Sequence, residues 1–252
     1  MKYIIGNWKM NKTAPESIDF MRKLSSFLME DTYDFNCHVV IAPPVIHLPH
    51  CFQFSKEINL AAQNLAAEDF GAYTGEISAA MLSEYVKYAI IGHSERRQYF
   101  QETAVILNKK ITMAFKYNIR PVFCVGEKEQ DRELGNYFNV IEGQLNETIM
   151  LLPDEHLSNC IIAYEPVWAI GTGKTPSLAQ IEEMHAYIRK MLVLKIGKYN
   201  ASKMPILYGG SCSVKNSSSI LHQNNVDGLL VGGASLDFMH FKEIIECSDT
   251  SC

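Results

Sequence analysis

The chain has 252 residues, 47% of them hydrophobic and 20% charged, and its formal net charge is −5. This composition is ordinary for a globular protein, and the acidic balance argues against nucleic acid as the main partner. No apolar run approaches the roughly 20 residues that a membrane-spanning helix needs, so we expect no membrane association.

Eight short β-rich segments recur along the chain, and each is continuously apolar, as is typical of strands buried on both faces of a parallel sheet. They are Tyr3–Gly6, Cys37–Ala42, Ile58–Ala62, Tyr88–Gly92, Pro121–Val125, Cys160–Tyr164, Pro205–Tyr208 and Gly228–Gly232. Helical patterns lie between them, for example from Ala104 to Phe115 and from Ile181 to Met191.

This alternation predicts an α/β fold, a single closed (β/α)8 barrel of eight parallel strands with surrounding helices, which forms one domain over residues 1–252. A doubly wound open sheet is the structural alternative. The count of eight strands and the missing G-x-G-x-x-G after the first strand disfavour it.

The seven cysteines are scattered, without a C-x-x-C pair or a Cys/His spacing that suggests zinc. Several lie in apolar segments, where cysteine behaves as a small hydrophobic residue, and such usage is typical of a reducing compartment. The first residues lack the apolar region of a signal peptide. We therefore expect a cytoplasmic protein without a metal site, and a frayed tail over residues 247–252.

Polar residues and glycines stand where the predicted strands end, and in a parallel barrel these ends meet on one face, where active sites lie. The ends carry Asn7-Trp8-Lys9, Gln63-Asn64, His93-Ser94-Glu95, Gly126-Glu127, Glu165, Gly209-Gly210-Ser211 and Gly232-Gly233. The sequence therefore predicts that lysine, histidine and glutamate side chains, together with glycine turns, surround one site at the carboxyl ends of the strands.

Glu165 is a candidate general base, because a carboxylate that is poorly solvated becomes basic enough to take a proton from carbon. The segment that follows, Pro166–Pro176, contains a tryptophan and two glycines, as a lid over a pocket requires. An exposed acid at a strand end is the competing interpretation, and the adjoining segment favours the base.

His93 and Lys9 are candidates for the same site. His93 precedes a predicted helix that we expect Ser94 to cap, and the positive end of the helix dipole favours a neutral imidazole that can donate to an oxygen. Lys9 suits an anionic substrate or an enediolate, and Glu95 can pair with it. Taken alone, His93 and Lys9 are more often structural, and an ion pair of Glu95 is an equally good interpretation.

The glycine turns Gly209-Gly210-Ser211 and Gly232-Gly233 follow the seventh and eighth strands. Loops at these places often bind phosphate through backbone N–H groups, and glycine lets the backbone approach the oxygens closely. The pair of turns therefore predicts a phosphate site.

Six longer motifs cover much of the chain: G-N-W-K-M-N (Gly6–Asn11), G-A-Y-T-G-E (Gly71–Glu76), I-G-H-S-E-R-R (Ile91–Arg97), A-Y-E-P-V-W-A-I-G-T-G-K-T (Ala163–Thr175), Y-G-G-S (Tyr208–Ser211) and V-G-G-A-S-L (Val231–Leu236). In this order and spacing they resemble the triosephosphate isomerase family. The resemblance runs along essentially the whole chain.

The resemblance implies interconversion of dihydroxyacetone phosphate and D-glyceraldehyde 3-phosphate, in glycolysis and gluconeogenesis, without a cofactor or metal. Glu165 would move a proton between two carbons through an enediolate, and His93 would polarise the carbonyl. Lys9 and Asn7 would bind substrate, and Glu95 would orient its neighbours. Four residues would hold the phosphate through backbone N–H groups: Gly171, Ser211, Gly232 and Gly233.

The resemblance also implies a homodimer in which the loop Gly71–Glu76, with Thr74 near its tip, projects into the partner's site. The chain departs from the family pattern at Cys212, where valine is usual, and at Pro176, where a small residue is usual. Pro176 lies in the rear hinge of the lid, and a capping box of Ser177 and Gln180 predicts that the next helix starts there.

Two other functions stay open at this point. Another phosphate-handling barrel enzyme, such as a lyase, predicts a different set of residues at the mouth. A catalytically silent barrel that serves as a scaffold predicts the loss of at least one of Asn7, Lys9, His93 and Glu165, and all four are present.

Overall fold

Eight parallel strands form a closed barrel, in chain order, in a computed structural model that describes residues 1–30 and 37–248. The strands are β1 (Lys2–Asn7), β2 (Cys37–Ala42), β3 (Asn59–Ala62), β4 (Tyr88–Ile91), β5 (Arg120–Val125), β6 (Ile161–Tyr164), β7 (Ile206–Tyr208) and β8 (Gly228–Val231). β1 closes the barrel against β8, with Tyr3 opposite Gly228 and Gly6 opposite Val231. The predicted barrel is confirmed, and the open sheet is excluded.

Helices cover the outside of the barrel. They are α1 (Ala14–Leu28), α2 (Leu48–Phe52), α3 (Ala79–Leu82), α4 (Ser94–Tyr99), α5 (Ala104–Lys116), α6 (Glu129–Glu133), α7 (Tyr137–Asn146), α8 (Asp154–Ser158), α9 (Leu178–Lys203), α10 (Val214–Leu221) and α11 (Phe238–Glu246). Short 3-10 helices lie at Val45–His47, Ile149–Leu151, Val167–Ala169 and Gly233–Leu236. Gly197, with φ of 76°, interrupts the helical path of α9.

Successive residues of each strand face two different apolar cores. Ile5 and Ile90 belong to the cluster inside the barrel, whereas their neighbours Ile4 and Ile91 belong to the larger cluster that includes the inner faces of the helices. Both sides of every strand are therefore buried, which explains the continuous apolar runs in the sequence.

The helix and chain ends agree in part with the sequence predictions. Ser177 and Gln180 form the predicted capping box at the start of α9, with hydrogen bonds of 3.2 and 2.9 Å. After α11, Cys247 caps the helix, and Ser248 is buried and donates its hydroxyl to Ile245 O. The remainder of the predicted frayed tail, 249–252, lies outside the described residues. Within the described ranges, no helix combines the length and apolarity that crossing a bilayer takes.

Candidate active site

The carboxyl ends of the strands surround a cavity of about 300 Å³. Eight of the nine predicted site residues line it: Asn7, Lys9, His93, Glu165, Gly171, Ser211, Gly232 and Gly233. The ninth, Glu95, lines the adjoining groove and contacts Lys9. Across residues 1–30 and 37–248, no three His, Cys, Asp or Glu side chains are grouped as metal ligands.

Glu165 stands at the end of β6 with its side chain inside the protein, only 1% exposed. Its Oε2 accepts the Ser94 N–H at 3.0 Å, and its Oε1 lies 3.0 Å from His93 Nε2. Burial raises the pKa of Glu165, but His93, the Ser94 N–H and Lys9 together hold it below its ordinary value. The side chain is therefore an ionised, desolvated carboxylate, and not an exposed acid at a strand end.

Two glycines make room for Glu165. A Cβ on Gly126 would lie 1.8 Å from the carbonyl oxygen of Glu165, and a Cβ on Gly209 would lie 3.0 Å from its Cγ. Neither position has a positive φ, so close approach and not a left-handed turn favours glycine there, and at Gly126 the contact with the backbone excludes any side chain.

His93, and not Ser94, caps α4, so the predicted cap was wrong. The Nδ1 atom of His93 accepts the Glu95 N–H at 3.2 Å, while Ser94 is the first helical residue and gives its own N–H to Glu165. A hydrogen bond into Nδ1 requires a lone pair on that nitrogen, so the proton of the neutral ring is on Nε2. Burial lowers the pKa of His93, but Glu165 more than offsets this and raises it while the two side chains are in contact.

Lys9 is held in a strained backbone conformation beside the cavity. Its φ of 53° lies in the left-handed region, which non-glycine residues adopt only where their surroundings enforce it. Asn7 Oδ1 accepts the Lys9 N–H at 3.0 Å, and Gln63 Nε2 donates to the Lys9 carbonyl at 2.9 Å. The ammonium forms the predicted pair with Glu95, at 2.6 Å.

Three separate loops bring backbone N–H groups to the lining of the cavity. Those of Gly171, Ser211, Gly232 and Gly233 have no hydrogen-bond acceptor within the part of the chain that the structure describes. The Gly232 carbonyl is engaged instead, because it accepts both the N–H and the hydroxyl of Ser235, at 2.9 and 2.7 Å. Several free donors beside one lysine can bind an anion with more than one oxygen.

A buried carboxylate, that of Glu127, anchors the segment that follows Glu165. The sequence predicts only that Glu127 stands at a strand end. Glu127 Oε1 accepts the indole N–H of Trp168 at 2.9 Å, the hydroxyl of Tyr164 at 3.0 Å and a guanidinium N–H of Arg132 at 3.1 Å. At the rear of the segment, Lys174 pairs with Glu129. The segment is thus joined to the β5–α6 region at both ends.

Comparison with known proteins agrees with the geometry. A family profile described as triosephosphate isomerase matches residues 2–248. Proteins with that name include one from Porphyromonas gingivalis, 46% identical over 246 residues, and one from Bacteroides fragilis, 44% identical over 246 residues. Each alignment covers 96% of this chain and 97% of the relative. The profile match and these identities show that the chain belongs to the triosephosphate isomerase family.

Proposed function

We propose that this protein interconverts dihydroxyacetone phosphate and D-glyceraldehyde 3-phosphate by proton transfer through an enediolate, as a cytoplasmic enzyme of glycolysis and gluconeogenesis. One observation carries the proposal. A buried carboxylate, Glu165, and an imidazole N–H, that of His93, meet 3.0 Å apart in a cavity that also presents free N–H donors to an anion. The family of the chain supports it.

The phosphate binds to the N–H groups of Gly171, Ser211, Gly232 and Gly233, because these donors have no acceptor among the described residues. Glu165 then takes a proton from C1 of dihydroxyacetone phosphate. The electron pair of the broken C–H bond forms the C1–C2 double bond of the enediolate, and the π electron pair of the carbonyl group moves onto its oxygen. His93 donates from Nε2 to that oxygen, and Lys9 stabilises the developing negative charge. Glu165 then returns the proton to C2, and the hydroxyl group on C1 gives its proton to Nε2 of His93, so that C1 becomes the aldehyde carbon.

Glu165 changes its basicity during this cycle. In the arrangement described, the Ser94 N–H and His93 Nε2 both bind the carboxylate and keep its pKa low. To reach carbon, the carboxylate leaves at least one of these donors. Because fewer donors then stabilise the charged form, burial raises the pKa of Glu165, and the carboxylate becomes a stronger base beside the substrate.

A coupled assay on the purified protein tests the proposal. Glyceraldehyde 3-phosphate is supplied, and a dehydrogenase that consumes dihydroxyacetone phosphate reports product through NADH oxidation. We expect turnover without added metal, in the presence of a chelator. A protein that folds but converts neither triose phosphate would contradict the proposal and favour the scaffold interpretation, and cleavage of a different phosphorylated substrate would favour the lyase.

Pro176 tests how the lid moves. Pro176 is buried and precedes the Ser177 cap of α9, so its fixed φ suits the residue before a helix start. We expect Pro176→Ala to lower stability by about 0.4–1 kcal/mol, through the freer unfolded chain, with kcat unchanged. Thermal melting and steady-state kinetics measure both, and Pro153→Ala, ahead of α8, is the control.

The opposite pattern would overturn this expectation. If φ at position 176 changes when the lid closes, Pro176→Ala alters kcat several-fold without a change in melting temperature, because lid motion often limits such enzymes.

We also propose a homodimer through the loop around Thr74. Every residue of the loop Gly71–Glu76 is exposed, and next to the active site lies a groove lined by Lys9, Glu95, Tyr99 and Phe100. Large apolar side chains are exposed in this region, including Met10 at 95% and Phe70 at 86%. Such patches are typical of protein–protein interfaces, and we infer that the loop of a second copy covers this groove.

Thr74→Arg is expected to weaken this dimer and to lower activity in parallel, because a charge would be buried without a partner. Light scattering and activity are measured over a protein concentration series. Thr112→Arg, at an exposed position of α5, controls for the added charge. A native protein that is monomeric and fully active would contradict the dimer.

A further inference from the structure

Lys12 lies between β1 and α1, and its side chain extends to the end of the 3-10 helix Gly233–Leu236, which follows β8. Its Nζ donates to the carbonyl oxygen of Leu236 at 2.7 Å. The same ammonium lies 4.7 Å from the ring centroid of Phe20 and 5.2 Å from that of Trp8. The cation is thus held by one carbonyl and two aromatic faces, an arrangement that fixes its position.

The carboxylates around Lys12 are engaged elsewhere. Glu16 accepts the N–H and the hydroxyl of Thr13, both at 2.7 Å. Asp19 pairs with Lys23 at 2.7 Å, and Asp237 caps α11 by accepting the His240 N–H at 3.0 Å. These carboxylates attract Lys12 only from a longer distance. Among residues 1–30 and 37–248, the carbonyl oxygen of Leu236 is therefore the hydrogen-bond acceptor of the ammonium.

The backbone of Lys12 is strained in the same way as that of Lys9. Its φ of 72° is in the left-handed region, where glycine fits without strain and lysine does not. A glycine would relieve the strain and would remove the ammonium. The lysine therefore keeps an unfavourable backbone conformation together with a contact that no glycine can make.

Leu236 links Lys12 to the phosphate site. It is the last residue of the 3-10 helix Gly233–Leu236, and it also lines the catalytic cavity. At about 2 Å of rise per residue, this short helix separates the Leu236 carbonyl from the Gly233 N–H by less than about 10 Å. At its other end, Ser235 holds the Gly232 carbonyl through two hydrogen bonds. A shift of either end therefore moves the donors of Gly232 and Gly233.

We propose that Lys12 is a positioning residue for phosphate binding: by holding the Leu236 carbonyl, its ammonium fixes the turn Gly232–Leu236 with the N–H groups of Gly232 and Gly233 directed at the phosphate. This inference rests on the proposed function. Lys12 does not line the cavity, so it acts through the turn.

Lys12→Met keeps the apolar stem against Phe20 and Trp8 and removes the ammonium. We expect the KM for triose phosphate and the inhibition constant of inorganic phosphate to rise together, about 3- to 10-fold. This is the scale expected when one charge-assisted hydrogen bond is lost and the loss reaches the phosphate only through the turn. The kcat should stay within about twofold, because the base and the imidazole are untouched. Amide hydrogen exchange over residues 232–236 should become faster.

Three variants separate the contact from other effects of the lysine. Lys12 and Lys23 line one surface groove beside α1. Lys23→Met removes the same charge from this groove but breaks the pair with Asp19 instead of the bond to Leu236, so it should leave KM unchanged. Lys12→Arg restores a cationic donor and should restore most of the phosphate affinity. Lys12→Gly relieves the backbone strain and removes the ammonium, so a raised KM in a protein that melts no lower than the native one assigns the effect to the lost side chain and not to misfolding.

The proposal is overturned if Lys12→Met leaves both KM and phosphate inhibition unchanged, or if Lys23→Met raises them equally, which would show a long-range charge effect. A wild-type protein without isomerase activity would defeat the proposed function alone. In that case calorimetric titration with inorganic phosphate and the hydrogen-exchange comparison still test whether Lys12 positions the turn. Equal phosphate affinity and equal exchange in wild type and Lys12→Met would overturn the role of Lys12.

Discussion

Glu165→Gln is expected to lower kcat at least about 10³-fold while KM stays close to its native value. Glutamine has nearly the same size and fills the same buried site, but its amide cannot take a proton from carbon. Substrate binding is kept, because the phosphate donors and Lys9 are unchanged. Steady-state kinetics in the coupled assay measure both constants.

The hydrogen bonds of Glu165 predict a second effect of this variant. The carboxylate now accepts from two donors, the Ser94 N–H and His93 Nε2. An amide offers one oxygen and one NH₂ group, so one donor faces another donor whichever way the amide is turned. We therefore expect a lower melting temperature, and the kinetic loss must be measured where the variant is folded.

Glu142→Gln is the matched control, because it removes the same charge from a surface site where Glu142 accepts the Tyr187 hydroxyl at 2.7 Å. It should leave kcat unchanged. Near-normal turnover in Glu165→Gln would contradict the assignment of Glu165 as the base.

Gly233→Asp is expected to raise KM for triose phosphate by at least about 10-fold and to weaken inhibition by inorganic phosphate, because a negative charge would face the phosphate. The site accepts a side chain: no atom lies within 4 Å of a Cβ built on Gly233, and its φ is not positive. The expected effect is therefore electrostatic and not a failure to fold. KM and phosphate inhibition are measured together.

Gly233→Asn separates charge from size. Asparagine has nearly the same shape as aspartate without the charge, so its KM should lie much closer to the native value. If Gly233→Asp binds substrate as the native protein does, the phosphate lies elsewhere. If the two variants are equally impaired, a steric effect replaces the electrostatic explanation.

The sequence predicts the barrel well because every strand is buried on both faces. Ile4 and Ile5 point into different apolar cores, so the strand is apolar without interruption. The ends of the apolar run therefore mark the ends of the strand in the sequence. The site is predicted for a related reason, since the ends of parallel strands meet on one face of a barrel. That rule alone places Asn7, His93 and Glu165 together.

The supporting contacts of the site could not be predicted, because they depend on how separate loops approach each other. Gln63 reaches the carbonyl of Lys9, 54 residues away, and Glu127 reaches the indole of Trp168, 41 residues away. The wrong cap at Ser94 has the same origin. Ser94 is a good capping residue locally, but its N–H is taken by Glu165, 71 residues away, and the cap falls to His93.

The most direct test of the central claim is proton NMR of dihydroxyacetone phosphate incubated with the purified protein in D₂O. Proton abstraction by Glu165 passes through an enediolate whose carbon is reprotonated by a group that exchanges with solvent. We predict glyceraldehyde 3-phosphate that carries deuterium at C2, and loss of this product by at least about 10³-fold in rate with Glu165→Gln. Product formed at a normal rate without any deuterium would contradict the account, because it would show a direct hydride shift between the carbons.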